Sequence, residues 1–537
     1  MNVNKCKMLF VMAGFLISSA VLADARSPAL ILTPYLTANH VTLARNASSV
    51  DSKYFLNITS HTGFFTVDEE YNSNIFFWYF PVEKKPLEET PWIVWLQGGP
   101  GASSIAGLFD EIGPFEFDNT ETGYLKRRKW PWSEAHSMLF IDNPIGAGFS
   151  FTNSDDGFIK DMSTCATHLY KVLQQFLTMF PELRQAPLYI AGESYAGRYI
   201  PALALKILEQ DIELGPLDVN LQGLIMGNPV MNRDIIADYT AIYQQWGLID
   251  SQGALSVKYL QDKYTNAIKK GDSFAAMDLR NKLLDRLSDI SMQLQNFNPL
   301  ADHLEDQLKG FVHYITHPQI SDAIHAGDIR FTFSNSTVHT KLTLDFLSEV
   351  NSKMEKLLEH YRVMIYCGQL DLTAPCVPNA QDRRKNWRWS QRENFLNAPR
   401  TPWWYNESIA GYVKSGGRFT EVLVRGAGHL VPLDKPAQVQ QLVSYFIRGL
   451  DMPLPPNYKT KDDFTPEYKD MAASLGQTEG SSGTRIAMGV SIFVNVILIF
   501  AILAGVVYGL RWRRRTEMFM YNNVEETSIT ESVLAMS

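Results

Sequence analysis

Cysteine is the scarcest chemistry in this 537-residue chain, with four residues in all: Cys6, Cys165, Cys367 and Cys376. So few exclude a disulfide-framed scaffold, and stability has to come from a buried core. Basic charge is short as well. Forty-nine Lys and Arg stand against 57 Asp and Glu, a net charge of −8, so a nucleic-acid partner has no electrostatic support. Apolar and aromatic side chains are plentiful, at 45% and 12% of the chain. They suffice for one large α/β domain with insertions, or for two to three smaller domains.

Two long, predominantly apolar runs lie near the two ends. Near the N-terminus, Lys5 and Lys7 precede an apolar stretch from Met8 to Leu22 that closes on small residues near Ala23. The run is short for a span of about 20 residues and reads as a secretory signal peptide over residues 1–23. Near the C-terminus, Ile486 to Leu510 carries no charge and is interrupted only by Asn495 and the hydroxyls of Ser491 and Tyr508. That length suits a tilted transmembrane helix. "RWRRR" follows at once and is expected to stay cytoplasmic. The implied organisation is a single-pass type I membrane protein of the secretory pathway, with an endosomal or lysosomal destination left open. Residues 24–452 form the lumenal or extracellular domain, 453–485 a Pro-, Ser-, Gly- and charge-rich stalk, 486–510 the span and 511–537 the tail.

Four Asn-x-Ser/Thr sequons, at Asn46, Asn57, Asn335 and Asn406, all lie between the two apolar ends, where glycosylation could reach them. Once Cys6 leaves with the signal, three cysteines remain, so at least one is unpaired within the chain. Cys367 and Cys376 are close enough in sequence to bridge a loop, and Cys165 sits in a helical pattern with a buried position expected.

Strand-like runs recur along the chain: "IFFWYF" and "WIVWLQ", read as a hairpin, then "SMLFIDNP", "APLYIAGES", "LQGLIMGNP", "YRVMIYCGQLD" and "TEVLVRGAGH". Between and after them, "MSTCATHLYKVLQQFLTMFP" and "AQVQQLVSYFIRG" carry helical spacing. Strands alternating with helices argue for an α/β fold with a mostly parallel central sheet covered on both faces. Residues from about 250 to 347 break the rhythm with charged, amphipathic helical segments, expected as a helical cap insertion.

Three of these strands end in a reactive residue: Ser194 after "LYIAGE", Asp371 after "MIYCGQL" and His429 after "VLVRGAG". Ligands collect beyond the carboxyl ends of parallel strands, and the order Ser, acid, His is that of α/β-hydrolases. Imidazole activates a serine hydroxyl by accepting its proton, and a carboxylate fixes the tautomer. Any one of these residues alone reads more simply as a loop or capping residue; the three together do not. "AGESYAGRYIP" departs from the usual elbow by placing Ala196 at its fifth position, a small residue the turn accepts. The loop "WLQGGPGASSIAGLFDEIGPF" offers backbone N–H groups suited to an oxyanion hole.

"WLQGGPGASS", "FIDNPIGAGFSF", "GESYAGRYIPALA", "YCGQLDL" and "GAGHLVPLDKP" together resemble the serine carboxypeptidase family. The glutamine of the first motif and the form of the fourth resemble its vitellogenic-like members. The resemblance covers roughly residues 75–450. It implies an α/β-hydrolase fold with a helical cap and the removal of single residues from peptide C-termini. It assigns Ser194, Asp371 and His429 to the triad, and Gly99 and Tyr195 to the oxyanion hole. Gln97, Gly98, Glu111 and Glu193 would bind the substrate's terminal carboxylate. No cofactor and no metal are implied. Two glutamates beside a carboxylate must share protons, so activity is expected to favour acid pH. Two departures stand out: the family often has Asn at position 97, and often Cys where this chain has Ala102. A same-fold acyltransferase and a non-catalytic protective or binding ectodomain stay open as alternatives.

Three further signals are weaker. "HYITH" (His313, His317) has metal-ligand spacing without a supporting Glu motif, "KRRK" (126–129) reads as a solvated face, and "YNNV" (521–524) fits a Tyr-x-x-apolar sorting signal. The expected partners are peptide or protein C-termini and one membrane, with a homodimer open.

Overall fold

The computed structural model describes residues 27–118, 124–210, 214–231, 238–292, 296–301 and 310–459. The chain divides into a compact unit over Met1–Pro455 and a second over Pro456–Ser537. The expected signal (1–23), span (486–510), tail (511–537) and all but the first residues of the stalk lie outside the described residues. Among the described residues, no helix is long and apolar enough to cross a membrane.

The compact unit is built on ten strands of one sheet plus a two-stranded ribbon. In chain order the strands are β1 (His61–Asp68), β2 (Ser73–Phe80), β3 (Trp92–Leu96), β4 (Phe115–Phe117), β5 (Leu125–Arg127), β6 (Ser137–Ile141), β7 (Pro187–Glu193), β8 (Asn220–Gly227), β9 (Arg362–Gly368), β10 (Arg400–Tyr405), β11 (Ser408–Gly416) and β12 (Phe419–Val424). The large sheet runs β1-β2-β6-β3-β7-β8-β9-β12-β11-β10, with β4 and β5 pairing apart. Its centre, from β6 to β12, is parallel. Both edges are antiparallel. This is the mostly parallel α/β-hydrolase sheet expected from the strand pattern.

The expected hairpin of "IFFWYF" and "WIVWLQ" does not form. β6 lies between β2 and β3, antiparallel to the first and parallel to the second. A connection broken by Pro81, Pro86 and Pro91 is not a tight turn, and β3 is buried along its whole length, as a central parallel strand must be.

Side-chain alternation puts one apolar set on each face of the sheet. Trp92, Val94 and Leu96 of β3 join the core with the helix Met162–Met179 and the helix Ala196–Glu209. Ile93 and Trp95 face the other core, which includes Val439, Leu442, Val443 and Phe446 of the helix Pro436–Arg448. Between β8 and β9 the chain leaves the sheet. There Asp250 and Asp272 cap the N-termini of the helices Ser251–Lys270 and Ser273–Ser291, and Gly271 at φ 74° makes the left-handed turn between them. That excursion returns to the sheet side: the backbone of Thr332 bridges Gly148 and that of Ser334 bridges Ala102.

Gly192 leaves no room for a side chain where β7 pairs with the end of β3: a Cβ would lie 2.2 Å from the carbonyl oxygen of Leu96 and 2.8 Å from Cβ of Ala196. Overpacking at such a contact costs about 1–3 kcal/mol. Gly192→Ala is therefore expected to lower stability by about that amount, checked by the shift in urea midpoint.

Candidate functional site

The end of β7 turns directly into the helix Ala196–Glu209, and Ser194 occupies the turn at φ 57°. A left-handed conformation costs a non-glycine residue about 1–2 kcal/mol, so the surroundings must hold it. They do so through the Ser194 N–H, which donates to the Gly227 carbonyl at 2.9 Å, and the Ser194 carbonyl, which accepts from the N–H groups of Gly197 and Val230 at 3.0 and 2.8 Å. Gly98, from the loop after β3, lies against this turn. A Cβ on it would sit 2.6 Å from the Tyr195 nitrogen and 2.7 Å from Ser194 Cβ. Only glycine allows that approach, and it brings the 97–101 loop beside the Tyr195 amide. Gly99 follows at φ 110°.

His429 and Asp371 arrive from the ends of β12 and β9. His429 Nδ1 and Asp371 Oδ2 are 2.7 Å apart in a buried pair. Asp371 Oδ1 accepts from the N–H groups of Thr373 and Ala374 at 2.7 and 2.9 Å. The imidazole stacks on Phe297, with centroids 4.9 Å apart. With Nδ1 engaged, Nε2 is the nitrogen left to accept a proton from a nucleophile.

Glu111 and Glu193 are 2% and 1% exposed, too buried for water to solvate two charges. The Gln97 amide spans them: Nε2 donates to Glu193 Oε1 at 2.6 Å and to Glu111 Oε1 at 3.3 Å, while Gln97 Oε1 accepts from Trp95 Nε1 at 2.9 Å. Glu111 Oε2 and Glu193 Oε2 have no donor among the described residues. Burial raises both carboxyls above the ordinary range; for Glu193 the negative charge of Glu111 pushes the same way. The pair therefore carries a proton where isolated glutamates would not. It can donate a hydrogen bond to an incoming carboxylate.

Several supporting residues were not singled out from sequence. Asp142 accepts from Ser103 Oγ at 2.6 Å and from the N–H groups of Ser104 and Phe149 at 2.9 Å, clamping the glycine-rich loop onto the loop after β6. Asn228, at φ 40°, donates to the carbonyls of Gly428 and His429 at 2.9 and 2.6 Å and accepts from the Gly368 N–H at 2.8 Å. It ties the carboxyl ends of β8 and β9 to the histidine loop. Arg128 corrects the reading of "KRRK" as a solvated face. Its side chain is buried and donates to the carbonyls of Gly113 and Phe115 at 3.1 and 3.3 Å and of Asp110 at 3.4 Å, securing the turn that carries Glu111. The signal that could have found these residues is a polar residue directly after a strand; the partners are remote in sequence.

Asn46, Asn57 and Asn406 are exposed. Asn335 differs: its Nδ2 donates to the Gly146 carbonyl at 2.9 Å and its Oδ1 accepts from the N–H groups of Thr337 and Val338. The amide nitrogen that would carry a glycan thus also makes a contact within the fold. Cys367 and Cys376 are joined as a disulfide. Cys165 is buried and free, its thiol pushed up to about 12 by burial. His313 and His317 are exposed, and no cluster able to hold a metal ion occurs among the described residues.

A hydroxyl on a strained turn, an imidazole backed by a carboxylate and a glycine-rich loop beside the turn's amides form a set suited to acyl transfer. A family model described as serine carboxypeptidase matches residues 50–449. The chain is 35% identical over 434 residues to a venom serine carboxypeptidase of Apis mellifera, covering 79% of this chain and 91% of that one. It is 34% identical over 430 residues to a vitellogenic carboxypeptidase of Aedes aegypti, covering 78% and 89%. The crystal structure of a prohormone-processing carboxypeptidase from Saccharomyces cerevisiae aligns with a TM-score of 0.67 at 22% identity, over 77% of this chain and 98% of the other.

The raised carboxyls have a stability consequence. A buried acid whose pKa is higher in the folded state stabilises the fold fully below its unfolded value, about 4.3 for Glu, and that stability is lost as pH rises through the folded value. Stability of the wild type is expected to fall between about pH 5 and 8 through this pair, and Glu111→Gln/Glu193→Gln is expected to flatten that fall. Urea midpoints measured across pH check it.

Proposed function

The chain belongs to the serine carboxypeptidase family, and from that premise we propose that it hydrolyses the C-terminal peptide bond of peptides and proteins through an acyl-enzyme formed on Ser194. In this reading His429 takes the serine proton through Nε2 as Oγ attacks the scissile carbonyl. Asp371 holds the imidazole's tautomer and stabilises the imidazolium. The backbone N–H groups of Gly99 and Tyr195 receive the developing oxyanion. His429 then returns the proton to the departing amine, and water repeats the sequence to release the shortened peptide.

The single observation that carries an exopeptidase reading is the buried Gln97–Glu111–Glu193 cluster beside the Ser194 turn. An endopeptidase needs a groove that continues past the scissile bond. A buried set of an amide and protonated carboxyls instead suits a chain that ends there in a carboxylate, with the Gly98 backbone assisting. The membrane attachment inferred from residues 486–510, the lumenal side of the domain and glycosylation at Asn46, Asn57 and Asn406 belong to this reading too. They rest on the uncharged run, on the arginines that follow it and on the exposure of those three asparagines.

Ser194→Ala is expected to lower kcat about 10⁴-fold or more and to abolish labelling by a fluorophosphonate probe. Absence of labelling in the folded wild type would instead support a binding ectodomain.

The pH dependence follows from the carboxyl pair. Protonated, the pair donates to the substrate carboxylate; deprotonated, it repels it. KM is therefore expected to rise with pH by up to about tenfold per unit once the pair's raised pKa is passed. Glu193→Gln, whose amide donates at any pH, is expected to weaken the rise. A kcat/KM optimum above about pH 8 would contradict the scheme.

A further inference from the structure

Resting on the reading that Asp371 orients His429, we propose that the Cys367–Cys376 bridge is a positioning element for the catalytic acid, so that turnover depends on this pair being oxidised. Asp371 lies inside the segment 367–376 that the bridge closes, at a sequence separation of 9. One end of that span is Cys367, the next-to-last residue of β9, fixed by the sheet. The other is Cys376, the first residue of the helix Cys376–Asn386, which starts after Pro375 with no side-chain cap. Between them the chain has no regular structure.

Both amides that hold Asp371 Oδ1, those of Thr373 and Ala374, come from this irregular stretch just before Cys376. Their directions set the carboxylate plane, and hence the 2.7 Å approach of Oδ2 to His429 Nδ1. Noncovalent ties to the span reach remote segments: Leu370 N–H to the Ala427 carbonyl, Leu372 N–H to the Asn296 carbonyl, and Tyr239 Oη to the Thr373 carbonyl. The disulfide is the covalent tie that fixes where the helix begins relative to β9. Breaking it leaves the fold in place and widens the distribution of Asp371 orientations.

The bridge is reachable. Cys367 and Cys376 are 8% and 7% exposed and line a cavity of about 270 Å³ together with Arg383, Arg384, Arg400 and Lys414. Reduction is a balanced exchange: a thiolate attacks one sulfur and releases the other as a thiolate. A second thiol then frees the first cysteine and leaves as the external disulfide, two electrons having passed from two thiols to the bridge. Cys165, buried with a raised pKa, takes no part, because the thiolate is the reactive form.

The test is steady-state hydrolysis of a blocked dipeptide by the full chain before and after dithiothreitol, with far-UV circular dichroism recorded alongside and reduction verified by alkylation and mass. Labelling of the oxidised enzyme by the fluorophosphonate establishes the underlying reading independently. Reduction is expected to lower kcat about tenfold or more with KM within about twofold and the dichroism unchanged, and reoxidation to restore it; Cys367→Ser/Cys376→Ser is expected to match the reduced enzyme and ignore dithiothreitol. In Asp371→Asn the residual activity is expected to be indifferent to reduction, because the group being positioned is already gone. A reduced, folded wild type with unchanged kcat overturns the proposal. So does an equal fractional loss in wild type and Asp371→Asn, which would mark the bridge as a general structural staple.

Discussion

Two carboxyl groups buried side by side with one amide between them are a costly arrangement, and much around them is placed to make it tolerable. Two desolvated negative charges a few ångströms apart cannot both persist. A proton has to stay on the pair, and the Gln97 amide has to serve both acids. Gln97 can do so because its own oxygen is occupied by Trp95 Nε1 and its backbone N–H by Ser104 Oγ, which fixes the amide's orientation. A glutamine where the family often has asparagine is long enough to reach Glu111 and Glu193 from the end of β3 while Trp95, two residues earlier on the same strand, holds its far side.

The same cluster constrains the backbone around it. Glu193 is the last residue of β7, so keeping its carboxyl on the Gln97 amide that it shares with Glu111 fixes the point at which the strand must turn, and the next residue takes the positive φ. Gly98 has to come within contact of that turn, which excludes any side chain there. Glu111 in turn needs its short helical segment, Gly107–Ile112, held from behind, and Arg128 does this through carbonyls on both sides of the acid. The carboxyl pair and the serine turn are thus one mechanical unit, with a helix on one face of the sheet and the glycine-rich loop on the other.

Legibility in the sequence follows the same division. Ser194, Asp371 and His429 could be found because each lies within a few residues of the carboxyl end of an apolar strand and has a residue type with chemistry of its own, and a parallel sheet delivers such positions to one edge. The hairpin failed because apolar runs adjacent in sequence say nothing about a strand inserted between them from fifty residues later; the pairing of β6 with both β2 and β3 is a long-range event. Asn228, Asp142 and Arg128 were invisible for a related reason. Each is a polar residue whose value lies in backbone groups that sequence does not bring near, even where, as for Asp142, it stands inside a motif.

Ala102 is where the departure from the family can be weighed physically. The glycine-rich loop lacks the cysteine often found at that position, which would leave its stiffness to noncovalent means. The fold supplies them from the returning end of the β8–β9 excursion. The Ser103 N–H donates to the Phe333 carbonyl at 3.0 Å, the Asn335 N–H donates to the Gly101 carbonyl at 3.0 Å, and the Ala102–Ser334 bridge lies between. Asn335 then caps the helix Ser336–Lys341 while its amide holds Gly146, and Asp142 clamps the other side of the loop. A short ladder of backbone bonds, whose order depends on residues 333–335 staying in place, does here what a single covalent bond does where that cysteine is present. The glycine-rich loop is therefore coupled to the excursion over the sheet. A change that loosened residues 333–335 would reach the site through the backbone of Gly101, Ala102 and Ser103 without touching Ser194, Asp371 or His429.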